Sequence, residues 1–194
     1  MGAKKKWAAR QHMENYTVTR QIGIDAGHRV MTHGSKCRHL HGHRYTIEAT
    51  CHARNAQLHQ VGEQTDMVID FSFLKDEMMR HIDAPCDHGL IATLADRELL
   101  QMLCPESEDF TTWLAHIAAE VQNLSFCETT NTRLSSKLYV IGHQPTAECL
   151  AAHWFHRLVQ PIHDRSDGVA VLSRIRVWET PNCYSDYINP DVAL

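Results

Sequence analysis

Apolar and polar residues alternate along several stretches of this chain. Tyr16, Val18, Ile22 and Ile24 recur with period two, which predicts a strand over residues 16–24. Gly27, Gly34 and the polar residues around them mark a loop, after which alternation resumes: His41, His43, Tyr45, Ile47, Ala49 and Cys51 share one face of a second strand. Segments 16–24 and 43–53 are expected to pair antiparallel across a long connection. Asp70 is placed to cap a helix, because its side chain can accept from backbone N–H groups ahead of Phe71, Leu74, Met78 and Ile82, which recur at helical spacing. Residues 90–103 predict a short helix, 113–124 a second one with Leu114, Ile117, Ala118 and Val121 on one side, and 137–141 a short strand. Thr146 is a second expected N-cap, followed by a stripe of Leu150, Trp154 and Leu158, with Trp154 and Phe155 assigned to the core and Pro161 expected just past the helix end. Finally Val171, Ile175, Val177 and Glu179 alternate in phase within a strand over 169–179. Strands separated by helices, with hairpin-like connections, predict an α+β fold rather than a doubly wound sheet. No glycine-rich phosphate loop follows any of these strands.

Composition narrows the picture. With 194 residues, 43% of them hydrophobic, the chain can bury a sizeable core without staples. Residues 1–14, with Lys4, Lys5, Lys6 and Arg10 around Trp7, are expected to form a solvated N-terminal tail, and residues 15–194 a single domain with an enlarged segment at about 89–144. The net charge of −4 offers no basic field for nucleic acid. No apolar run approaches the roughly 18–20 residues that span a bilayer, and no apolar region follows the basic start as in a secretory signal. The seven cysteines are odd in number and contain no CxxC pair, so a disulfide framework is not expected and a reducing cytoplasm is.

Histidine is the unusual residue, with 15 in the chain and several between His28 and His43. His41 and His43 stand two apart on a strand, so both imidazoles face the same side and can reach one ion. Gly42 between them permits close approach, and His28 at the end of the preceding strand can supply a third nitrogen. Three protein nitrogens with an open fourth position suit catalytic zinc, although imidazoles also suit copper, iron or nickel. Spacing alone leaves alternatives open: His33 or His39 in place of one of the three, or Cys37 as a fourth ligand in a closed structural site. As a free thiol, Cys37 lies between Lys36 and Arg38, charges that favour the thiolate.

Six blocks in order, IDAGHRV, KCRHLHGHRY, MVIDFSFLK, DHGLI, QPTAECLA and VWET, resemble the 6-pyruvoyl-tetrahydropterin synthase superfamily over about residues 16–187. The three residues between Cys37 and His41 are similar to the spacing in the 6-carboxy-tetrahydropterin synthases of 7-deazaguanine (queuosine precursor) formation. The resemblance implies zinc on His28, His41 and His43, a catalytic thiol at Cys37, and an acid/base dyad at Asp87 and His88. It also implies that Glu179 anchors a pterin ring and that Thr146 and Glu148 line the pocket. The implied reaction is carbon–carbon lyase chemistry on 7,8-dihydroneopterin triphosphate; the pyruvoyl-forming reaction, or a non-catalytic zinc module, is the alternative. The implied fold is a tunnelling fold with a four-stranded antiparallel sheet and helices on one face. Its subunits are expected to assemble into trimers or hexamers with the pocket at a subunit boundary, Glu179 facing His28 of a neighbouring chain. The Cys86 before Asp87-His88 and the length of segment 89–144, read as an added helical element, depart from compact members.

Overall fold

The computed structural model describes residues 16–192, so the N-terminal basic run lies outside the described residues. Strand β1 (Thr17–His28) and strand β2 (His41–Ala53) pair antiparallel in unbroken register from Thr17 opposite His52 to His28 opposite His41. The first strand therefore runs four residues past its expected end, because its final stretch is held on both sides. β2 also pairs with β6 (Ala170–Thr180), and β6 with β7 (Cys183–Ile188), both antiparallel. These four strands are the expected antiparallel sheet.

The sheet has three further strands, in the order β4-β5-β3-β1-β2-β6-β7. They come from the enlarged segment, which is not simply a helical addition. β3 (Gly89–Thr93) runs parallel to β1, β5 (Leu138–Ile141) parallel to β3, and β4 (Phe126–Thr129) antiparallel to β5. The helix expected over 90–103 is thus β3 followed by a shorter helix, α3 (Arg97–Leu103). Ile91 and Ala92 face opposite sides of the sheet and both are buried, and a strand apolar on both faces loses the alternation that would reveal it.

Helix α1 (Phe71–Met78) starts at Asp70, whose carboxylate accepts the Ser72 N–H at 2.6 Å. The chain then widens into a π-type turn and a single helical turn, α2 (Ala84–Cys86). Helix α4 (Phe110–Leu124) is capped by Asp109, and α5 (Ala147–Arg165) by Thr146. α5 runs through Pro161 instead of stopping before it. Proline forfeits one helical hydrogen bond, but Ile162 beyond it is fully buried in the core, and the Ser166 N–H closes the last turn on the Ile162 carbonyl.

Two apolar cores follow from this layering. Ile24, Tyr45, Ile47, Ile91, Tyr139 and Val177 face α1 and α5, where Leu74, Trp154 and Leu158 complete the main core. Ala92, Cys127, Leu138 and Val140 face the other side and are covered by α3 and α4 through Leu100, Trp113 and Ile117. Helices on one face hold for the antiparallel strands; the extension is covered on both faces because its strands are apolar on both.

Candidate active site

β1, β3 and β5 are parallel, so their carboxyl ends open at one edge of the sheet, the usual position for a site in such a layer. The register of β1 and β2 sets His28 directly opposite His41, with His43 two residues on along the same face. A Cβ on Gly42 would stand 3.1 Å from the Ala26 carbonyl oxygen, so a side chain between the two histidines would crowd the paired strand.

His28, His41 and His43 each bring one ring nitrogen within 4.8 Å of the others. His28 Nδ1 lies 2.7 Å from the Pro145 carbonyl oxygen, and His41 Nδ1 lies 2.7 Å from the His39 carbonyl oxygen. A carbonyl only accepts, so both Nδ1 atoms carry protons, and in its neutral form each ring presents a bare Nε2 lone pair. Those two Nε2 atoms are 3.2 Å apart. Two lone pairs at that distance repel unless a proton or cation lies between them. Two nitrogens on a tetrahedral zinc ion, with bonds of about 2.0–2.1 Å, stand about 3.3 Å apart. The third nitrogen, His43 Nε2, is buried without a hydrogen-bond partner among the described residues. Burial lowers the pKa of His28, against the opposing pull of the Pro145 carbonyl and Glu179, and burial likewise lowers that of His43. Both are therefore kept in the neutral, ligating form. The donor set fits a divalent transition metal, and the two Nδ1–carbonyl bonds supply the outer contacts that aim such ligands.

A cavity of about 320 Å³ opens beside these rings, lined among others by His28, Cys37, Thr146, Glu148, Glu179 and Tyr184. Cys37 sits in a single 3₁₀ turn, half-buried; it is not a member of the histidine group. Thr146 uses its hydroxyl to cap α5, accepting the Cys149 N–H at 3.3 Å, and Glu148 lies in the first turn of that helix. Glu179 Oε1 lies 3.6 Å from His28 Nε2 and 4.0 Å from His43 Nε2, within the same chain, so Glu179 need not meet the histidine of a neighbour. Its phase with Val177 along β6 puts it on the histidine face of the sheet. Beneath it Tyr45 is fully buried; burial first, then the nearby Glu179 carboxylate, hold its phenol well above the ordinary range.

Asp87 and His88 form a dyad, with His88 Nδ1 2.6 Å from Asp87 Oδ2. Asp87 Oδ1 also accepts the Asp25 N–H at 2.8 Å, and the His88 N–H donates to the Asp25 carbonyl at 2.7 Å. Burial opposes ionisation of Asp87, but the Asp25 N–H and His88 together hold its carboxyl below the usual value. His88 is held at φ 56°, a left-handed conformation that costs a non-glycine residue energy and recurs at functional positions. The dyad does not line the histidine cavity. It sits at the edge of β1 beside Asp25, whose side chain pairs with Arg44 on the sheet face turned away from the three histidines.

Sequence reasoning missed the Pro145 carbonyl, which orients His28, and the β7 residues Cys183, Tyr184 and Ser185, which complete the cavity wall. β7 reads Cys-Tyr-Ser-Asp-Tyr-Ile, with no period-two alternation to reveal it.

The family model described as 6-pyruvoyl tetrahydropterin synthase matches residues 17–190. The 6-carboxy-5,6,7,8-tetrahydropterin synthase of Rickettsia bellii is 30% identical over 86% of this chain and 95% of its own length. The protein of that name from Haemophilus influenzae is 28% identical over 89% of this chain and 98% of its own length. Among solved structures, an uncharacterised protein from Wolinella succinogenes aligns with TM-score 0.65 at 19% identity, covering 91% of this chain and 99% of its own. The 6-pyruvoyl tetrahydropterin synthase of Caenorhabditis elegans aligns with TM-score 0.53 at 20% identity, covering 91% and 97%. With its histidine triad, its antiparallel core sheet and a family match that runs from the first residue of β1 to just beyond β7, this chain belongs to the 6-pyruvoyl tetrahydropterin synthase family.

Proposed function

We propose that the chain is a zinc-dependent 6-carboxy-5,6,7,8-tetrahydropterin synthase that supplies 7-deazaguanine (queuosine precursor) formation. The substrate is 7,8-dihydroneopterin triphosphate, which with one water gives 6-carboxy-tetrahydropterin, acetaldehyde and triphosphate. The observation that carries the metal-centred reading is the pair of bare Nε2 atoms 3.2 Å apart, both rings fixed by backbone carbonyls. The relatives bearing the synthase name support the choice of reaction.

His28, His41 and His43 would hold the metal, and a zinc ion there would supply a Lewis acid. The chain's own groups do the rest. Cys37, on a turn that overlooks the same cavity, is the base that removes the carbinol proton. Glu179 accepts the ring N–H and exocyclic amino hydrogens of the pterin in one bidentate pair, while Thr146 and Glu148 shape the wall behind it. Asp87 fixes the His88 tautomer through Nδ1, which leaves Nε2 to move the second proton.

One chain does not bring that dyad to the thiol. The reading therefore includes a homo-oligomer, trimer or hexamer, in which a second copy supplies Asp87 and His88 to the cavity. No helix among the described residues is long and apolar enough to cross a membrane, and all seven cysteines are free, which supports a reducing cytoplasm as the working compartment.

The test is product identification. Purified protein incubated with dihydroneopterin triphosphate is expected to give 6-carboxy-tetrahydropterin and acetaldehyde by mass spectrometry. 6-Pyruvoyl-tetrahydropterin as the sole product would retain the family and overturn the assigned reaction.

A further inference from the structure

A second cavity of about 530 Å³ adjoins the first and shares His33 with it as a common wall. Arg29, Arg38 and Arg97 all line it, and they arrive from three different segments. The Val30 N–H donates to the Cys37 carbonyl at 2.8 Å, which closes the β1–β2 connection and brings its two ends, Arg29 and Arg38, to one place. Because β3 is parallel to β1, its exit at Thr93 delivers residues 95–98 of the enlarged segment to the same spot. Cys37 and Arg38 are consecutive: one lines the catalytic cavity, the next the side cavity.

The charges there are unequally matched. Asp96, only 2% exposed, is committed: it takes the Arg29 guanidinium in a bidentate pair at 2.5 Å and also caps α3 by accepting the Leu99 N–H. Glu98 lies 3.6 Å from Arg29 but is 92% exposed and free to swing into solvent. Among the described residues neither Arg38 nor Arg97 has an ion-pair partner; Arg97 only leans over the Phe110 ring at 5.5 Å. Arg44, an arginine of the same β1–β2 region, is spent on Asp25 across the sheet. Folding that gathers cations from separate segments around one cavity works against repulsion, and an anion relieves it; planar guanidinium groups suit phosphate oxygens in pairs.

We propose that this side cavity holds the triphosphate of the substrate, with Arg38 and Arg97 binding the phosphates and Arg29 presented by Asp96. The identity of the anion rests on the pterin reading given above; the existence of a polyphosphate site does not. The enlarged segment thereby contributes a substrate-binding residue, Arg97, to a site otherwise built on the β1–β2 connection.

Equilibrium dialysis of the zinc-loaded protein with radiolabelled inorganic tripolyphosphate tests this directly, with zinc content measured at the end of each run. Wild type and the exposed-helix control Lys75→Gln are expected to bind one tripolyphosphate per chain equally well. Arg97→Gln and Arg38→Gln are each expected to bind about tenfold more weakly, the scale of one charge-assisted hydrogen bond shared with water. Arg97→Lys, which keeps the charge and loses the fork, is expected to fall between wild type and Arg97→Gln. In turnover assays Arg97→Gln should raise KM and leave kcat within about twofold, as loss of uniform binding does. Equal tripolyphosphate binding by wild type and a folded Arg38→Gln/Arg97→Gln protein overturns the proposal, as does no binding by wild type at millimolar ligand. A protein that binds tripolyphosphate through these arginines yet makes no carboxy-tetrahydropterin overturns the reaction and leaves the site standing; turnover with KM unchanged in Arg97→Gln does the reverse.

Discussion

The sheet extension is fastened to α5 by a polar contact that acid should break. Tyr139 on β5 donates its hydroxyl to His153 Nε2 at 2.7 Å, and Arg157 donates to the same hydroxyl oxygen at 2.8 Å while its guanidinium lies 3.7 Å over the Phe126 ring. His153 must be neutral at Nε2 to accept. Burial, reinforced by Arg157, His156 and His143, pushes its pKa down to about 4 from an ordinary 6.5. A histidine that binds its proton less readily when folded contributes stability that is complete above about pH 6.5 and is lost as pH falls toward 4. The full shift corresponds to about 3 kcal/mol at 1.36 kcal/mol per unit, and the ring's contact with the cavity between α4 and α5 lowers that to about 2 kcal/mol. Urea denaturation between pH 7 and pH 4.5, with chelator present throughout so that metal release does not contribute, should show wild type losing about 2 kcal/mol more than His153→Gln, which keeps an acceptor but does not titrate. His28, His43, His52 and His81 are also shifted down by burial and add the same slope to both proteins. Parallel stability curves for wild type and variant over this range would refute the reasoning.

Other outcomes follow from the site. His43→Ala should reduce zinc from one ion per chain to a small fraction by elemental analysis, since the loss of one ligand of three leaves an incomplete set. Cys37→Ala should keep the zinc and lose about 10²–10⁴-fold in kcat, the scale of a positioned acid or base; zinc lost along with the thiol would make Cys37 a ligand. Glu179→Gln should raise KM about tenfold with zinc retained if the carboxylate anchors the pterin. Because Glu179 Oε1 is only 3.6 Å from His28 Nε2, zinc loss in that variant would instead identify it as a fourth ligand. Cys37→Ala and His88→Ala, each inactive alone, should regain about a quarter of wild-type activity when unfolded and refolded together, if one site draws on two symmetric copies. No recovery, with mixed oligomers shown by mass spectrometry, would place the whole site in one chain.

Much of the site was legible because strand geometry is simple. His41 and His43 had to share a face, and His28 needed only antiparallel register to join them, which β1 and β2 provide. The helix caps at Asp70 and Thr146 were equally readable, each a side-chain acceptor ahead of an apolar stripe. What failed were cases in which the environment overrides local pattern. β3 is apolar on both faces and mimicked a helix; β4 is four residues long; Pro161 would ordinarily end a helix, but burial of Ile162 carries α5 past it. The gathering of Arg97 with Arg38 depends on the parallel pairing of β3 with β1, a contact between segments more than 60 residues apart. The separation of the Asp87–His88 dyad from the histidine cavity could not be read from spacing either, since it follows from the edge of β1 along which the chain returns.

The two carbonyls that hold His28 and His41 give the site an unusual heritability. Pro145 and His39 contribute only main-chain oxygen, which every amino acid possesses, so no side-chain replacement can delete either acceptor. A scan that truncates side chains one at a time would find the three histidines and overlook what aims two of them. On the metal-centred reading, affinity also depends on the path of the backbone: the start of α5 for one ring and the turn before β2 for the other. Insertions or deletions near residues 39 and 145 therefore move both acceptors, whereas substitutions there leave the carbonyl groups in the chain.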